Sequence, residues 1–224
     1  YHDAELSKFL SCPGAKHLEQ AEWCLGYLVG TVDRGITYSA PAPNRLNIME
    51  AWVDSDFAAD PDTRRSVTGY VVVLNNGPIA WKAKRQDCVT LSSAEAEFVA
   101  ASICGVEVLY LRSILRGFHY LQRRPTTLWE DNASAIAMSN NPVNPDKSRH
   151  VDTRWNFLRD MDKAKLIKLR KVPGTENIAD ALTKSLDGTT LSKHVETIMG
   201  VARERLMTRP IPDDKLAPAL LPAH

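Results

Sequence analysis

Four acidic residues, Asp54, Glu97, Asp131 and Asp180, stand where predicted strands end or predicted helices begin. Asp54 and Asp131 end the first and fourth predicted strands, whereas Glu97 and Asp180 lie early in predicted helices. Strand ends and the adjoining helix starts gather at one edge of an open α/β sheet, so residues far apart in sequence can meet there. Crowded carboxylates repel one another. A hard divalent cation removes that cost, because Mg²⁺ prefers oxygen ligands from a few carboxylates and from substrate phosphates.

Such a cluster of carboxylates indicates metal-assisted hydrolysis of a phosphodiester. Two Mg²⁺ ions about 3.5–4 Å apart can stabilise both the attacking and the leaving oxygen of an in-line displacement at phosphorus. The spacing alone leaves an ordinary alternative open, in which each aspartate is a helix cap or a turn residue.

The segment "LSSAEAEFVAA" opens a helix predicted over 92–116 and contains two glutamates. Successive helical residues turn by about 100°, so Glu95 and Glu97 point roughly 200° apart and cannot bind one ion together. An apolar stripe lies on the Glu97 face, and it comprises Ala94, Phe98, Ala101, Cys104 and Val108. This stripe favours Glu97 as the glutamate that faces the sheet, although the Glu95 face is also fairly apolar. Glu95 suits the N-terminal turn of the helix after Ser92 or Ser93, where its negative charge opposes the helix dipole.

The elements that must position these acids follow the order β-β-β-α-β-α-α-β-α from residue 46. Strands are predicted at 46–54, 66–74, 79–85, 126–131 and 166–172, and helices at 92–116, 132–139, 149–165, 178–184 and about 189–207. The turn signal "NNGP" joins the second and third strands as a hairpin. This order predicts an α/β domain with an antiparallel hairpin at one side of a mixed sheet.

Four parts of the chain are expected. They are an accessory segment with a helix and a linker (1–44), the α/β domain (45–187), a C-terminal helix (188–208) and a disordered Pro-rich tail (209–224). Because the chain starts at Tyr1 inside structured-looking sequence, we expect it to be part of a longer protein.

Composition limits the possible classes of function. The 224 residues carry a formal net charge of +1, so nucleic-acid binding must come from local patches and not from an overall basic field. The four cysteines show no C-x-x-C spacing, so neither a zinc site nor a disulfide framework is expected, and reduced buried thiols are the default. The sequence predicts neither a signal peptide nor a membrane-spanning run.

Basic side chains that could contact phosphates form three groups. These are Arg64 with Arg65, then Lys82, Lys84 and Arg85, and finally Lys147, Arg149 and Arg154. Contacts of this kind give affinity without reading sequence, but a solvated face that keeps the protein soluble explains each residue equally well. Trp81 alternates with Lys82 along the predicted strand, so it is expected in the core.

Several motifs resemble one family. They are the run from "DSDFAADPDTRRSVTGYVVVL" through "LSSAEAEFVAA", then "LWEDNASAIAMSNNP", "RHVDTRWNFLRD" and "VPGTENIADALTKSL". In this order, from about 46 to 200, they closely resemble the ribonuclease H domain of copia-type retrotransposon Pol polyproteins. The segment before them resembles the end of the preceding reverse transcriptase. The resemblance implies a ribonuclease H-like fold, with a mixed five-stranded sheet in βββαβαβα order and flanking helices.

The resemblance also implies a site and an activity. The family's four catalytic acids fall on Asp54, Glu97, Asp131 and Asp180, which would bind two Mg²⁺ ions, with Mn²⁺ able to substitute. Asp56 is the rival to Asp54, since residues two apart share a strand face. The implied reaction is endonucleolytic hydrolysis of RNA in an RNA–DNA hybrid, whose A-form-like shape and 2′-hydroxyls would be recognised. The loop "VPGTEN" lacks the histidine that many ribonucleases H carry before the last aspartate.

Partners and alternatives follow from the same resemblance. The reverse transcriptase portion of the same polyprotein is the expected protein partner, no membrane is involved, and the polymerase aspartate-pair motif is absent. An intracellular location is implied, in cytoplasmic virus-like particles and in the nucleus. Asn156 and Ser185 depart from residues common in the family, so an inactive remnant that binds nucleic acid or serves structurally stays an alternative. The four-acid order and the absence of an N-terminal His/Cys cluster argue against an integrase.

Overall fold

The computed structural model describes residues 5–40, 46–140 and 149–201. Its strands are β1 (Met49–Asp56), β2 (Val67–Leu74), β3 (Gly77–Arg85), β4 (Thr126–Glu130) and β5 (Ile167–Lys171). Its α-helices are α1 (Ala15–Gly30), α2 (Ser93–Gly117), α3 (Ala133–Asn140), α4 (Arg149–Lys163), α5 (Asp180–Thr183) and α6 (Gly188–Ile198). Up to α5 the order from β1 is the predicted one, and the two helices between β4 and β5 are separate, as the sequence pattern indicates.

The five strands form one mixed sheet in the order β3-β2-β1-β4-β5. The β1–β2 and β2–β3 pairs are antiparallel, whereas β4 pairs in parallel with both β1 and β5. Parallel neighbours need crossover connections, and helices supply them: α2 lies between β3 and β4, and α3 and α4 lie between β4 and β5. The predicted α/β class, with an antiparallel hairpin at one side of a mixed sheet, is confirmed.

The hairpin between β2 and β3 turns on two asparagines. Asn75 and Asn76 have φ values of 51° and 65°, the left-handed conformation that a two-residue type I′ turn requires at both positions. β3 therefore begins at Gly77, two residues before the predicted start. Pro78 has no N–H to donate and lies in an edge strand, where proline is tolerated.

Side chains alternate between two apolar layers on the two faces of the sheet. On one face Val53 and Leu128 pack with Phe98 of α2, and all three side chains are fully buried. On the opposite face Trp52 and Trp129, which are register partners in the parallel β1–β4 pair, form a smaller cluster. α2 is long and apolar enough to cross a membrane by length and composition, but here it is the central core helix and packs against the sheet.

The accessory segment touches the α/β domain through polar contacts. Lys8 Nζ lies 3.0 Å from Asp60 Oδ2, and the Tyr38 hydroxyl donates to the Pro78 carbonyl at 2.7 Å. None of the α1 residues is buried, and its leucines Leu18, Leu25 and Leu28 are exposed, with Leu18 at 61%.

Some predictions on the flanking parts differ from the structure or lie outside it. The helix predicted over 188–208 ends at Ile198, and Gly200 follows with a left-handed φ of 77°. The linker residues 41–44 and the tail 209–224 lie outside the described residues. The expectation of buried thiols is wrong for three of the four cysteines, because only Cys104 is buried and Cys12 is exposed.

Candidate metal site and nucleic-acid face

Asp54 lies inside β1, because the strand continues to Asp56 beyond its predicted end. Its side chain is fully buried. Both carboxylate oxygens accept hydrogen bonds from residues that follow α5 or end it: Lys184 Nζ donates to Oδ1 at 3.0 Å, and the Thr183 hydroxyl donates to Oδ2. This carboxylate is therefore held in one orientation by partners from the far end of the domain.

The two glutamates at the start of α2 have separate environments. Ser92 is the N-cap and accepts from the Glu95 N–H at 3.2 Å, while Glu95 Oε2 accepts from the Leu91 N–H at 2.8 Å. Glu95 thus satisfies the backbone N–H of Leu91, just before the helix. Glu97 points the other way and is 6% exposed, and its Oε2 receives no hydrogen bond from any described residue.

Asp131 follows β4 directly and completes a group of three carboxylates. Asp54, Glu97 and Asp131 each offer an oxygen, and these oxygens all lie within 4.8 Å of one another. A loop passes close to Asp131, since a Cβ added at Gly174 would lie 3.2 Å from Asp131 Oδ2. Lys171 donates to the Asp131 backbone carbonyl. The chain thus brings together three of the four predicted acids, from β1, α2 and the end of β4.

Asp180 does not belong to this three-carboxylate group, but a lysine connects it to the group. Lys184 Nζ lies 3.1 Å from Asp180 Oδ1 and 3.0 Å from Asp54 Oδ1. One ammonium group therefore stands between two of the predicted acids. Asp56 is half-buried, and burial raises the pKa of its carboxyl, with Lys184 opposing that effect.

The electrostatics of the site reflect crowding of like charges. Burial raises the pKa of Glu97 to about 11, and the nearby charges of Glu130, Asp54 and Asp131 add to that effect. Burial and the Asp54 charge raise the pKa of Asp180 to about 7. Burial alone would lower the pKa of Lys184, but Asp54 and Asp180 outweigh it and hold that pKa above its usual range.

The donor set fits a hard divalent cation. The three-carboxylate group offers oxygen ligands alone, which is the set that Mg²⁺ and Mn²⁺ prefer, and it holds none of the nitrogen or sulfur ligands typical of zinc. A buried carboxylate oxygen without a donor, such as Glu97 Oε2, is costly unless a cation or a proton satisfies it. The residues present therefore fit Mg²⁺.

Sequence reasoning missed Glu130, Thr183 and Lys184. The i,i+4 spacing of Asp180 and Lys184 was a readable signal, because such pairs face each other on a helix. For Glu130 the signal was its place beside Asp131 at the end of a buried strand, and for Thr183 no signal exists in the sequence.

The basic residues predicted to contact nucleic acid differ in their exposure and in the partners of their side chains. Lys82 and Lys84 are exposed on β3, and Lys84 lies 3.4 Å from the exposed Asp87. Arg85 is engaged, because its Nη1 donates to the buried Asp60 Oδ2 at 2.7 Å. That guanidinium and the Thr63 N–H hold the pKa of Asp60 well below its usual range.

The other basic residues predicted to contact nucleic acid are only partly described by the structure. Arg154 Nη1 lies 3.9 Å from Cys88 Sγ, next to the loop that follows β3. The side chain of Arg149 and the whole of Lys147 lie outside the described residues. The prediction that Trp81 belongs to the core is wrong, because its side chain is 55% exposed on the edge strand.

Comparison with known proteins places the chain among transposon polyproteins. It is 36% identical over 179 residues, 80% of its length, to the retrovirus-related Pol polyprotein from transposon TNT 1-94 of Nicotiana tabacum. It is 32% identical over 198 residues, 88% of its length, to that from transposon RE1 of Arabidopsis thaliana. The matched part spans 13% of each relative. No family model matches the chain. Among solved structures, it is similar to LC11-RNase H1 from compost, at 14% identity and a TM-score of 0.47 over 66% of this chain and 98% of that one.

Proposed function

Because the chain belongs to the retrovirus-related Pol polyproteins of copia-type transposons, we propose that it is the ribonuclease H-type hydrolase segment of such a polyprotein. Its reaction would be metal-dependent endonucleolytic cleavage of RNA in RNA–DNA hybrids during reverse transcription. The observation that carries the proposal is the convergence of Asp54, Glu97 and Asp131, whose oxygens all lie within 4.8 Å of one another.

In this proposal each acid has a role set by its surroundings. Asp54, Glu97 and Asp131 would hold Mg²⁺, and Asp180 would extend the site on the Lys184 side. When bound, Mg²⁺ supplies Lewis-acid stabilisation of negative charge on the phosphoryl oxygens. Hydrogen bonds from Thr183 and Lys184 fix the orientation of the Asp54 carboxylate, which limits the reorganisation needed when a phosphate binds.

Substrate binding would use charge rather than base sequence. The exposed Lys82 and Lys84 lie on β3, and phosphate contacts of this type bind without reading bases. Arg85 is less suited to this role, because its guanidinium already pairs with Asp60. The reverse transcriptase portion of the polyprotein would be the protein partner, and the location would be intracellular, in cytoplasmic virus-like particles and in the nucleus.

A cleavage assay with one neutral substitution tests the proposal. Asp131→Asn should abolish Mg²⁺- or Mn²⁺-dependent cleavage of a labelled RNA–DNA hybrid, while circular dichroism shows an unchanged fold. Asp160→Asn is the matched control, since Asp160 is an exposed carboxylate near the C-terminal end of α4. Unchanged cleavage by Asp131→Asn would refute the assignment.

The same assay separates the hydrolase from an inactive remnant. A remnant would bind the hybrid, with an affinity that falls as salt increases, yet would not cleave it over a titration with Mg²⁺ or Mn²⁺. Binding without cleavage by the unmodified chain would therefore replace the proposed activity with a nucleic-acid-binding role.

A further inference from the structure

Glu130 is a fifth carboxylate, beside the four predicted acids, and it precedes Asp131 of the three-carboxylate group. It is the last residue of β4, its side chain is fully buried, and it shares a sheet face with Leu128, which packs toward α2. Oε1 accepts from the Asn132 N–H at 2.9 Å. Oε2 is buried, and no described residue donates a hydrogen bond to it.

The unsatisfied oxygen of Glu130 lies among other carboxylates. Burial raises the pKa of the Glu130 carboxyl, and the nearby charges of Asp131, its neighbour in the chain, and of Asp54 add to that effect. The charge of Glu130 is also the nearby charge that affects Glu97 most, and Glu97 Oε2 likewise receives no hydrogen bond from a described residue. Two buried glutamates on facing elements, β4 and α2, therefore each have an oxygen that lacks a donor among the described residues.

A bound divalent cation would supply the missing partner of these two glutamate oxygens. Burying an ionised carboxylate without a partner is costly, and a divalent ion satisfies several carboxylate oxygens at once. A protonated Glu130 could instead donate one hydrogen bond, so the two explanations differ in whether the charge at residue 130 matters. Glu130 is not among the three residues whose oxygens all lie within 4.8 Å of one another, so it would extend that group on the α2 side.

We propose that Glu130 is a further metal-binding residue of this site, which contributes a carboxylate oxygen beside those of Glu97 and Asp131. The inference rests on the proposed function, because it requires that Asp54, Glu97 and Asp131 hold divalent cations. It adds a ligand to the four acids that the sequence indicates.

The test is calorimetric titration of the whole chain with Mn²⁺ in the absence of nucleic acid. Glu130→Gln keeps the shape and one acceptor oxygen, adds the donor that a protonated Glu130 would have, and removes the charge. It should weaken Mn²⁺ binding by at least roughly 10-fold, because even the loss of a partner of a metal ligand weakens binding that much. Glu50→Gln is the matched control, since Glu50 is a buried glutamate of β1 whose Oε1 accepts from Trp129 Nε1 at 3.1 Å. Wild-type affinity in Glu130→Gln would overturn the inference.

Two further measurements separate this inference from the proposed function. If the wild-type chain binds no Mn²⁺, or if Asp131→Asn binds it normally, the proposed metal site itself fails. If Asp131→Asn loses binding while Glu130→Gln retains it, only the role of Glu130 fails.

A second variant covers the case in which Glu130→Gln does not fold. Glu130→Cys places a soft thiolate at this position, and thiolates favour soft metals over the hard ions that carboxylates bind. The ratio of Cd²⁺ to Mn²⁺ affinity should rise at least roughly tenfold relative to wild type, and it should not rise in Glu50→Cys. An unchanged ratio in Glu130→Cys would contradict the inference.

Discussion

Replacing Lys184 by methionine removes the one positive charge between Asp54 and Asp180 and keeps most of the side-chain length. In the native fold the ammonium nitrogen lies 3.0 Å from an Asp54 oxygen and 3.1 Å from an Asp180 oxygen. Without it, two crowded carboxylates lose their shared counter-charge. We therefore expect Lys184→Met to destabilise the metal-free protein.

The size of the expected stability loss follows from these two distances and from the exposure of the Lys184 side chain. Unit charges about 3 Å apart interact by about 5–6 kcal/mol at an effective dielectric constant near 20. Desolvation and solvent screening offset much of this, because the Lys184 side chain is 36% exposed. Breaking a buried ion pair costs about 3–5 kcal/mol, so we expect about 2–3 kcal/mol for this half-buried one. For a chain of this size that loss lowers Tm by about 4–12 °C.

Added metal should reduce the loss. A divalent ion bound by the acids can take over the neutralisation that Lys184 provides, so Mn²⁺ should raise the Tm of Lys184→Met more than that of wild type. Thermal unfolding followed by circular dichroism, with and without Mn²⁺, measures this difference.

The control for this experiment is an ion pair away from the carboxylates. Lys168 Nζ lies 2.8 Å from Asp162 Oδ2, and both side chains are partly exposed, so Lys168→Met should cost less than about 1 kcal/mol. The control loss should be independent of metal. The reasoning on Lys184 is refuted if Lys184→Met shows no loss, or shows the same loss with and without Mn²⁺.

Four other substitutions test parts of the fold around the site. Asp60→Asn should cost about 2–3 kcal/mol at neutral pH. Because the folded-state pKa of Asp60 is depressed, its stabilisation is present above about pH 5 and declines below the ordinary aspartate pKa near 3.9. In urea unfolding, the difference in unfolding free energy between wild type and Asp60→Asn should therefore shrink as the pH falls below about 3.9. A difference that does not change with pH contradicts this reasoning. Phe98→Ala should cost about 3–5 kcal/mol in the same assay and Trp81→Ala under about 1 kcal/mol; similar losses would contradict the exposures of these side chains, which are 0% and 55%. Gly69→Ala would put a Cβ 2.5 Å from Thr183 Cγ2 and should lower hybrid cleavage by roughly 10²-fold through misplacement of α5; normal cleavage would show that α5 can shift freely.

Hydrophobic periodicity predicted most of the fold correctly. The valine run of β2 and the two asparagines that follow it indicated a hairpin, and the structure has that hairpin with both asparagines in the left-handed conformation. The 200° offset between Glu95 and Glu97 indicated that they have different roles: Glu95 accepts from the Leu91 N–H at the start of α2, whereas Glu97 lies among the acids. These predictions depend on interactions within a few residues, which local sequence encodes.

Features that depend on tertiary packing could not be predicted from the sequence. Trp81 alternates correctly with Lys82, but β3 is an edge strand and α5, which packs on the Trp81 face, lies mainly over β1 and β2, so the Trp81 side chain is 55% exposed. Asp180 was expected among the carboxylates, yet Lys184 pairs with it and with Asp54. Which lysine reaches which acid depends on where α5 packs, and a single sequence does not contain that information.

The hydrogen bonds on Asp54 have a consequence for when the carboxylate site forms. Its partners Thr183 and Lys184 are 129 and 130 residues away along the chain, so they are synthesised long after β1. During translation β1 and α2 are complete while the segment that orients Asp54 has not yet been made. Contacts of such high sequence separation form late, because closing a long loop must precede them. A nascent or truncated chain that ends before α5 therefore lacks the residues that order the Asp54 carboxylate, which would confine the proposed activity to an essentially complete domain.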